Sequence, residues 1–333
     1  MIKIEAISVT NLSKYFTLSR KARIHSDSSQ MTKNQDKEVR AVDAINFQVN
    51  EGEIFGFLGP NGAGKTTTIR MMTGVLKPTN GKIQIFGKDA WQEPLVVKQL
   101  IGNVPEEANV YIELSGWHNL MLIGELYGIP KKERKEKAEY LLKEFELYQK
   151  RHLKAKKYSK GMKQRLLLCM SLMGNPKLLF LDEPTSGLDV QSARIIKKLI
   201  LEYNEKGMTI FLTTHDMDVA NELCDRIAII NKGKIISLDT PEKLKALTQE
   251  YQAIDLNLEN GTMIDEFRSL KTIREIQVVN GGFHIIVDEI HNSICEIIDY
   301  VKSKNIRIKS LATHQPKLEE TFLKIIKEGG NVE

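Results

Sequence analysis

The chain has 333 residues, of which 41% are hydrophobic and 27% charged, and its net charge of +5 is too small to argue for a nucleic-acid partner. This length leaves room for one large and one smaller domain, and the composition is typical of an ordinary soluble protein. No apolar run approaches the roughly 20 residues that span a bilayer, and Met1–Glu5 is too polar for a secretory signal. The three cysteines lie far apart, which excludes metal-binding spacing and a disulfide framework and predicts reduced thiols in a cytoplasm.

The first 50 residues predict two strands separated by a polar insertion. Residues 2–10 alternate loosely between apolar and polar side chains, a pattern typical of an edge strand. Residues 17–38 are almost without apolar side chains, which predicts a flexible surface insertion. Strand character resumes at Val39–Val49 and leads into the next apolar run.

Residues 59–66 read GPNGAGKT and fit the nucleotide phosphate-binding loop G-x-x-x-x-G-K-[ST]. The apolar run Ile54–Leu58 before it predicts a buried strand, and Thr66–Met72 after it predicts the first turns of a helix, so a chance match is disfavoured. Glycines let the backbone fold around phosphate oxygens, and the helix N-terminus adds its positive end. Lys65 is expected to reach the β- and γ-phosphates, and the Thr66 hydroxyl to ligate Mg²⁺. The predicted nucleotide-binding residues here are Gly59, Pro60, Asn61, Gly62, Ala63, Gly64, Lys65, Thr66 and Thr67.

From about residue 90 to 165 the pattern becomes helical. Two apolar stripes recur at spacings of three and four, the first at Leu120, Leu122, Ile123 and Leu126, the second at Ala138, Leu141, Leu142 and Phe145. This segment predicts a helical subdomain inserted into a nucleotide-binding sheet.

Three short apolar runs, at 178–181, 209–213 and 227–230, are typical of central parallel strands, and helical segments such as 191–204 separate them. The alternation predicts an α/β fold with a mainly parallel sheet. Asp182 and Glu183 end the first run, at the edge where such sheets bind ligands. Asp182 is expected to hold Mg²⁺ and Glu183 to polarise an attacking water. The alternative for this pair is a solvated acidic turn.

After Thr240 the character changes, and residues 241–333 predict a small α+β domain, for which a ferredoxin-like fold is a hypothesis. Strands are predicted at 252–257, 274–279, 283–288 and 306–311, with a hairpin turn at Asn280–Gly282. Helices are predicted at 290–301 and 317–328. No catalytic motif is found in this part of the sequence.

Residues 158–165 read YSKGMKQR, which alone indicates a helix start with Ser159 as N-cap and Gly161 in the first turn. The segment resembles the signature motif of ATP-binding-cassette ATPases, usually written L-S-G-G-Q. Tyr158, Lys160 and Met162 depart from that motif, whereas Ser159 and Gly161 keep it. This form resembles the variant common in exporter-type members of the family.

The other cassette motifs follow in the family's order, and the resemblance covers roughly residues 2–240. Phe16 resembles the aromatic residue that stacks on adenine; Tyr15 is the competing candidate, and either could be a core residue. Asp189 ends a loop resembling the one that communicates across the cassette dimer. His215 resembles the switch histidine at the γ-phosphate. Glu106 stands where the family usually has Gln in a loop that senses Mg²⁺ and contacts the membrane partner, and a carboxylate can also ligate Mg²⁺.

The resemblance implies a P-loop NTPase cassette over 1–240, with the helical subdomain at about 90–165 and an accessory domain at 241–333. ATP and Mg²⁺ are the implied ligands, and Glu183, His215 and Lys65 the implied catalytic residues. Each ATP would lie between the phosphate loop of one cassette and Ser159 and Gly161 of a second, in a dimer expected to be a homodimer. The expected function is to drive a separate transmembrane permease, as an exporter, from the cytoplasmic face of the cell membrane. Two alternatives stay open: a soluble, non-transport cassette ATPase, and an importer ATPase with a C-terminal regulatory domain.

Overall fold

The computed structural model describes residues 5–17, 38–107, 109–246, 252–259, 267, 270, 272–279, 282–287, 289–304, 306–314 and 322. The chain divides into two compact units, residues 1–240 and 241–333. The predicted insertion at 17–38, apart from its two end residues, and the predicted helix at 317–328, apart from Phe322, lie outside the described residues. Within the described ranges no helix is both long and apolar enough to cross a membrane.

Two sheets form the larger unit. Its strands, within the described ranges, are β1 (Glu5–Thr17), β2 (Glu38–Asn50), β3 (Ile54–Leu58), β4 (Asn80–Ile85), β5 (Lys88–Asp89), β6 (Ile101–Val104), β7 (Leu178–Asp182), β8 (Thr209–Thr214), β9 (Arg226–Asn231) and β10 (Lys234–Asp239). The first sheet has the order β10-β9-β3-β8-β7-β6, and every pairing in it is parallel except that of β10 with β9. The predicted α/β class with a mainly parallel sheet is confirmed.

The parallel register brings the carboxyl ends of the central strands to one edge. Leu58 is opposite Thr214, and Asp182 is opposite Thr213. Strands β3, β7 and β8 are buried along their whole length, which explains their unbroken apolar runs. Residues that follow these strands therefore lie close together although they are far apart in sequence.

The second sheet is antiparallel, with the order β2-β1-β4-β5. Strand β1 pairs with both β2 and β4, so its prediction as an edge strand is wrong; the reason is that β4 escaped recognition. The apolar residues of β4 that are buried, Ile83 and Ile85, alternate with polar ones over only six residues. Both sheets contribute to one core, in which Phe47 of β2 lies 5.6 Å from both Phe55 and Phe57 of β3, measured between ring centroids.

The helices described in this unit are α1 (Lys65–Met72), α2 (Pro94–Leu100), α3 (Gly116–Leu126), α4 (Lys131–Glu144), α5 (Lys160–Leu172), α6 (Val190–Glu205) and α7 (Met217–Leu223). The segment predicted as helical from 90 to 165 also contains β6, which pairs with β7 in the main sheet. A run of four residues is too short to show a strand period, and only its partner in the sheet identifies it.

The smaller unit contains α8 (Pro241–Ala246), β11 (Gln252–Leu258), β12 (Ile273–Val279), β13 (Gly282–Val287), α9 (Ile290–Ser303) and β14 (Ile308–His314). Its strands form an antiparallel sheet with the order β12-β13-β11-β14. One face of this sheet and α9 share a core that includes Ile254, Ile285 and Ile297. Residues 280–281 lie outside the described part, and the ferredoxin-like arrangement stays a prediction.

Candidate functional site

The loop after β3 is held in place by close backbone approaches that only glycine permits. A Cβ on Gly59 would lie 2.3 Å from the carbonyl oxygen of Ile230, and one on Gly64 would lie 2.5 Å from that of Ala41. Gly64 also has a φ of +109°, which side chains disfavour. The loop is therefore fixed between β9 and β2, and its backbone N–H groups are available to an anion.

A pocket of about 250 Å³ opens over this loop. It brings together predicted residues from three separate parts of the sequence and adds Ala41, which sequence reasoning missed. The lining residues are Ala41, Pro60, Asn61, Gly62, Ala63, Gly64, Lys65, Thr66, Thr67, Glu106 and Glu183.

Lys65 is almost completely buried at the floor of the site. Its ammonium donates hydrogen bonds to the carbonyl oxygens of Gly59 at 2.7 Å and Pro60 at 3.3 Å. The same Nζ lies 3.2 Å from Oε1 of Glu183, whose side chain is only 7% exposed. Burying either charge alone would be costly, so each side chain requires the other in this arrangement.

Glu183 adopts a backbone conformation unusual for its residue type, with a φ of +49°. Its N–H donates to both the carbonyl oxygen and the Oγ1 of Thr213, each at 3.1 Å. Its Oε2 lies 2.9 Å from Nδ1 of His215 and accepts the His215 N–H at 3.4 Å. The carboxylate is thus held between Lys65 and His215 at the mouth of the loop, so the alternative of a solvated acidic turn is wrong.

Asp182 is also buried, and two hydroxyl groups donate to its Oδ1, that of Thr66 at 3.3 Å and that of Thr213 at 2.5 Å. A neighbouring pocket of about 290 Å³ is lined by Thr66, Asp182 and Glu106 among others. Carboxylate and hydroxyl oxygens are the hard donors that Mg²⁺ prefers. The donor chemistry therefore fits the predicted metal.

The other predicted residues form a second group around the starts of α5 and α6. Ser159 caps α5 by accepting the Met162 N–H at 3.2 Å, and a Cβ on Gly161 would lie 2.2 Å from Oγ of Ser192. Asp189 caps α6 by accepting the Ser192 N–H at 2.8 Å and its hydroxyl at 2.7 Å. These bonds lower the pKa of Asp189. Ser159, Gly161 and Asp189 do not line the pocket around Lys65 of the same chain.

The two candidate aromatic residues at the end of β1 have different surroundings. Phe16 is 41% exposed and so is not a core residue, and the Lys14 ammonium lies 5.3 Å from the centroid of its ring. Tyr15 instead has its hydroxyl 3.5 Å from Asp43 and its ring 5.3 Å from the guanidinium of Arg40. Neither aromatic lines the pocket over the loop, whereas Ala41 does.

Sequence reasoning also missed Thr213 and Ser192. Thr213 contacts Asp182 and Glu183, and Ser192 contacts Asp189 and closely approaches Gly161. The available signs were the hydroxyl at the end of the apolar run before His215 and the polar residue three positions after the helix cap. Neither sign identifies a contact until the strand register and the packing of α5 against α6 are known.

A glycine-rich loop with a buried lysine, facing an Asp–Glu pair at the carboxyl end of another parallel strand of the same sheet, defines a P-loop nucleoside triphosphatase. The family described as ABC transporter matches residues 42–186. The linearmycin resistance ATP-binding protein LnrL of Bacillus subtilis is 35% identical over 288 residues, which are 85% of this chain and 93% of that protein. A fluoroquinolones export ATP-binding protein of Mycobacterium tuberculosis is 43% identical over 205 residues, 62% of this chain and 67% of that protein.

Among solved structures, the dimeric structure of MJ0796, a bacterial ABC transporter cassette, superposes with a TM-score of 0.60 at 25% identity. The superposition covers 70% of this chain and 98% of the MJ0796 chain. The chain therefore belongs to the ATP-binding proteins of ABC transporters, and it binds and hydrolyses ATP.

Proposed function

We propose that this chain is the energy-supplying subunit of an exporter, acting as a homodimer on the cytoplasmic face of the membrane with a separate permease. The observation that carries the enzymatic part is the arrangement of Lys65, Glu183 and His215 around the phosphate loop. The export direction rests on the relatives, which are named for linearmycin resistance and for fluoroquinolone export. The cargo is open, because cargo contacts belong to the permease.

The reaction is in-line attack of water on the γ-phosphorus of ATP. The loop N–H groups and Lys65 bind the phosphates and offset the charge that develops on them. The Lys65 ammonium lies 3.2 Å from the Glu183 carboxylate. When phosphate oxygens bind the Lys65 ammonium, the Glu183 carboxylate becomes available to polarise water. His215 orients both this carboxylate and the γ-phosphate.

Three side chains are suited to hold Mg²⁺: the hydroxyl of Thr66 and the carboxylates of Asp182 and Glu106. When bound, the ion would supply positive charge that offsets the negative charge of the phosphates. In the described part of the chain no group of three or more His, Cys, Asp or Glu residues forms a metal site. This is compatible with Mg²⁺, which keeps phosphate and water ligands beside one or two carboxylates. Glu106 would fill the place of the usual glutamine.

The positions of the second group of residues support a dimer with two composite sites. Ser159, Gly161 and Asp189 do not line the phosphate pocket of their own chain. In the proposed dimer Ser159 and Gly161 contact the γ-phosphate held by Lys65 of the partner subunit, and the loop of Asp189 communicates across the interface. The solved structure that superposes on this chain is a dimeric cassette, which supports dimerisation.

Phe16 is the residue we assign to the adenine ring. Phe16 is exposed and therefore accessible for stacking, whereas Tyr15 is half-buried and its hydroxyl lies 3.5 Å from Asp43. The nearby Ala41 lines the phosphate pocket, which supports a nucleotide path from that pocket toward the end of β1.

The test is to trap the assembly and identify its partner. Tagged Glu183→Gln protein, expressed in its native cell and given ATP, should bind nucleotide, hydrolyse it at a small fraction of the normal rate, and co-purify a polytopic membrane protein in fixed stoichiometry. The same variant without ATP is the control for ATP-dependent assembly. Recovery of a soluble dimer only, or of ribosomes or DNA, would support the non-transport alternative, and inward transport by the partner would support the importer alternative. Normal turnover would contradict the role of Glu183.

A further inference from the structure

We propose that Thr213 is a positioning residue for ATP hydrolysis, whose single hydroxyl couples the carboxylate of Asp182 to the backbone of Glu183. The inference rests on the roles proposed above for those two acidic residues. Thr213 is completely buried at the carboxyl end of β8, where the register places it opposite Asp182. The sequence motif around His215 contains Thr213 but gives it no role.

The hydroxyl of Thr213 makes two bonds of opposite sense. Its proton is donated to Oδ1 of Asp182 at 2.5 Å, and its oxygen accepts the N–H of Glu183 at 3.1 Å. A hydroxyl has one proton and two lone pairs, so both bonds can form at once. A valine of similar shape could make neither, and a serine could make both.

The bond to Asp182 selects one orientation of its carboxylate. Both donors to this side chain, Thr66 and Thr213, meet at Oδ1. Oδ2 is then the oxygen that we assign to the metal side, toward the pocket shared with Glu106. Without Thr213 the carboxylate would keep only the 3.3 Å bond from Thr66, the residue that is itself expected to turn toward Mg²⁺.

The bond to Glu183 stabilises its left-handed backbone. A φ of +49° is unfavourable for a glutamate and persists only when surrounding groups hold it. Thr213 supplies both acceptors for this N–H, its carbonyl oxygen and its hydroxyl. From this conformation the Glu183 carboxylate lies between Lys65 and His215, so a loosened backbone would move the group that polarises water.

The chain offers a matched control at the other end of the same strand. Thr209 is also completely buried in β8, and its hydroxyl accepts the N–H of Gly52 at 2.9 Å, away from the nucleotide site. Thr209→Val and Thr213→Val make the same chemical change in the same strand. A role in folding alone would make the two variants behave alike.

The experiment compares Thr213→Val, Thr213→Ser and Thr209→Val in the full chain. The readouts are the equilibrium affinity for a non-hydrolysable ATP analogue across a Mg²⁺ titration, kcat at saturating ATP, and the denaturation midpoint. Mg²⁺ should increase the affinity for the analogue, and we expect Thr213→Val to raise by about tenfold the Mg²⁺ concentration at which half of this increase is reached. The same variant should lower kcat by about tenfold or more. Its analogue affinity in EDTA should be unchanged, Thr213→Ser should restore both parameters, and Thr209→Val should alter neither.

The inference is overturned if Thr213→Val matches Thr209→Val in Mg²⁺ dependence and kcat, or if Thr213→Ser fails to restore them. Should the valine variants not fold, Thr213→Ala and Thr209→Ala make the same comparison with smaller side chains. Glu183→Gln, measured in parallel, separates the two levels of the proposal. If it abolishes turnover while the Thr213 variants act like their controls, only the role of Thr213 fails; if it turns over normally, the role of Glu183 fails first.

Discussion

Gly161, in the segment that resembles the signature motif, is required by packing within its own chain. Gly161 faces Ser192, and an added Cβ would lie 2.2 Å from Oγ and 2.6 Å from Cβ of that serine. Both approaches are far below a normal contact, and the serine Cβ cannot move without its backbone. The requirement for glycine at this position therefore exists before any nucleotide or partner subunit arrives.

This contact predicts a compensating pair of substitutions. Gly161→Ala should destabilise the protein by about 2 kcal/mol through overpacking. Ser192→Gly alone should cost about 1 kcal/mol, because it places glycine in the first turn of α6 and removes the hydroxyl bond to Asp189. The double variant should be more stable than Gly161→Ala, as measured by urea denaturation. Simple additivity of the two single costs would contradict the contact.

The sequence predicts the site residues that belong to a motif. It does not predict those whose contacts depend on strand pairing or helix packing. Lys65, Asp182 and Glu183 follow from the loop motif and from the apolar run that ends in two carboxylates. Thr213 acts through a cross-strand pairing, and Ser192 through the packing of two helices, so their contacts depend on tertiary structure.

The carboxylate of Glu144 links the C-terminus of α4 to the end of α6 by hydrogen bonds. Glu144 accepts hydrogen bonds from Lys206 at 2.6 Å, from Tyr140 at 2.9 Å and from Tyr203. Burial alone would raise the pKa of Glu144, but these three bonds outweigh it, and the pKa falls below 4.5. Ionised Glu144 therefore stabilises the fold above pH 4.5, and this stabilisation is lost as the pH falls through the lowered folded-state pKa.

Glu144→Gln should thus be about 2 kcal/mol less stable than the wild type near pH 7, because the charge-assisted bonds are weakened. The difference should narrow as the pH falls below 4.5, when the wild type also loses its charge. Denaturant titrations at several pH values measure this difference. Glu136→Gln, an exposed position on the same helix, should show neither effect. If the difference in unfolding free energy between Glu144→Gln and the wild type stays constant with pH, the stabilising role of the ionised carboxylate is contradicted.

Whole elements were predictable in proportion to how completely they are buried. The runs at 54–58 and 178–181 are covered on both faces, so they appear in the sequence as unbroken apolar segments. Strand β4 alternates over a few residues, and β10 has no fully buried side chain, so neither stands out against the surrounding turns. The misassignment of β1 follows from the first of these omissions, since an edge strand is defined by its missing neighbour.

The chain contains two units with separate hydrophobic cores. The larger core joins both sheets of residues 1–240, and the smaller joins the β11–β14 sheet to α9. All residues assigned to nucleotide and Mg²⁺ lie in the larger unit. A core of its own and a complete set of site residues are the conditions for independent folding and binding.

A fragment of residues 1–240 should therefore fold, bind ATP and hydrolyse it, because no assigned group is removed. The measurements are its ATP affinity, its kcat and its calorimetric unfolding, each compared with the full chain, whose trace should contain an additional transition from residues 241–333. The fragment carrying Glu183→Gln is the control for contaminating ATPase activity. A folded fragment that binds ATP but fails to hydrolyse it would show that residues 241–333 are required for turnover, and an unfolded fragment would contradict the independence of the two cores.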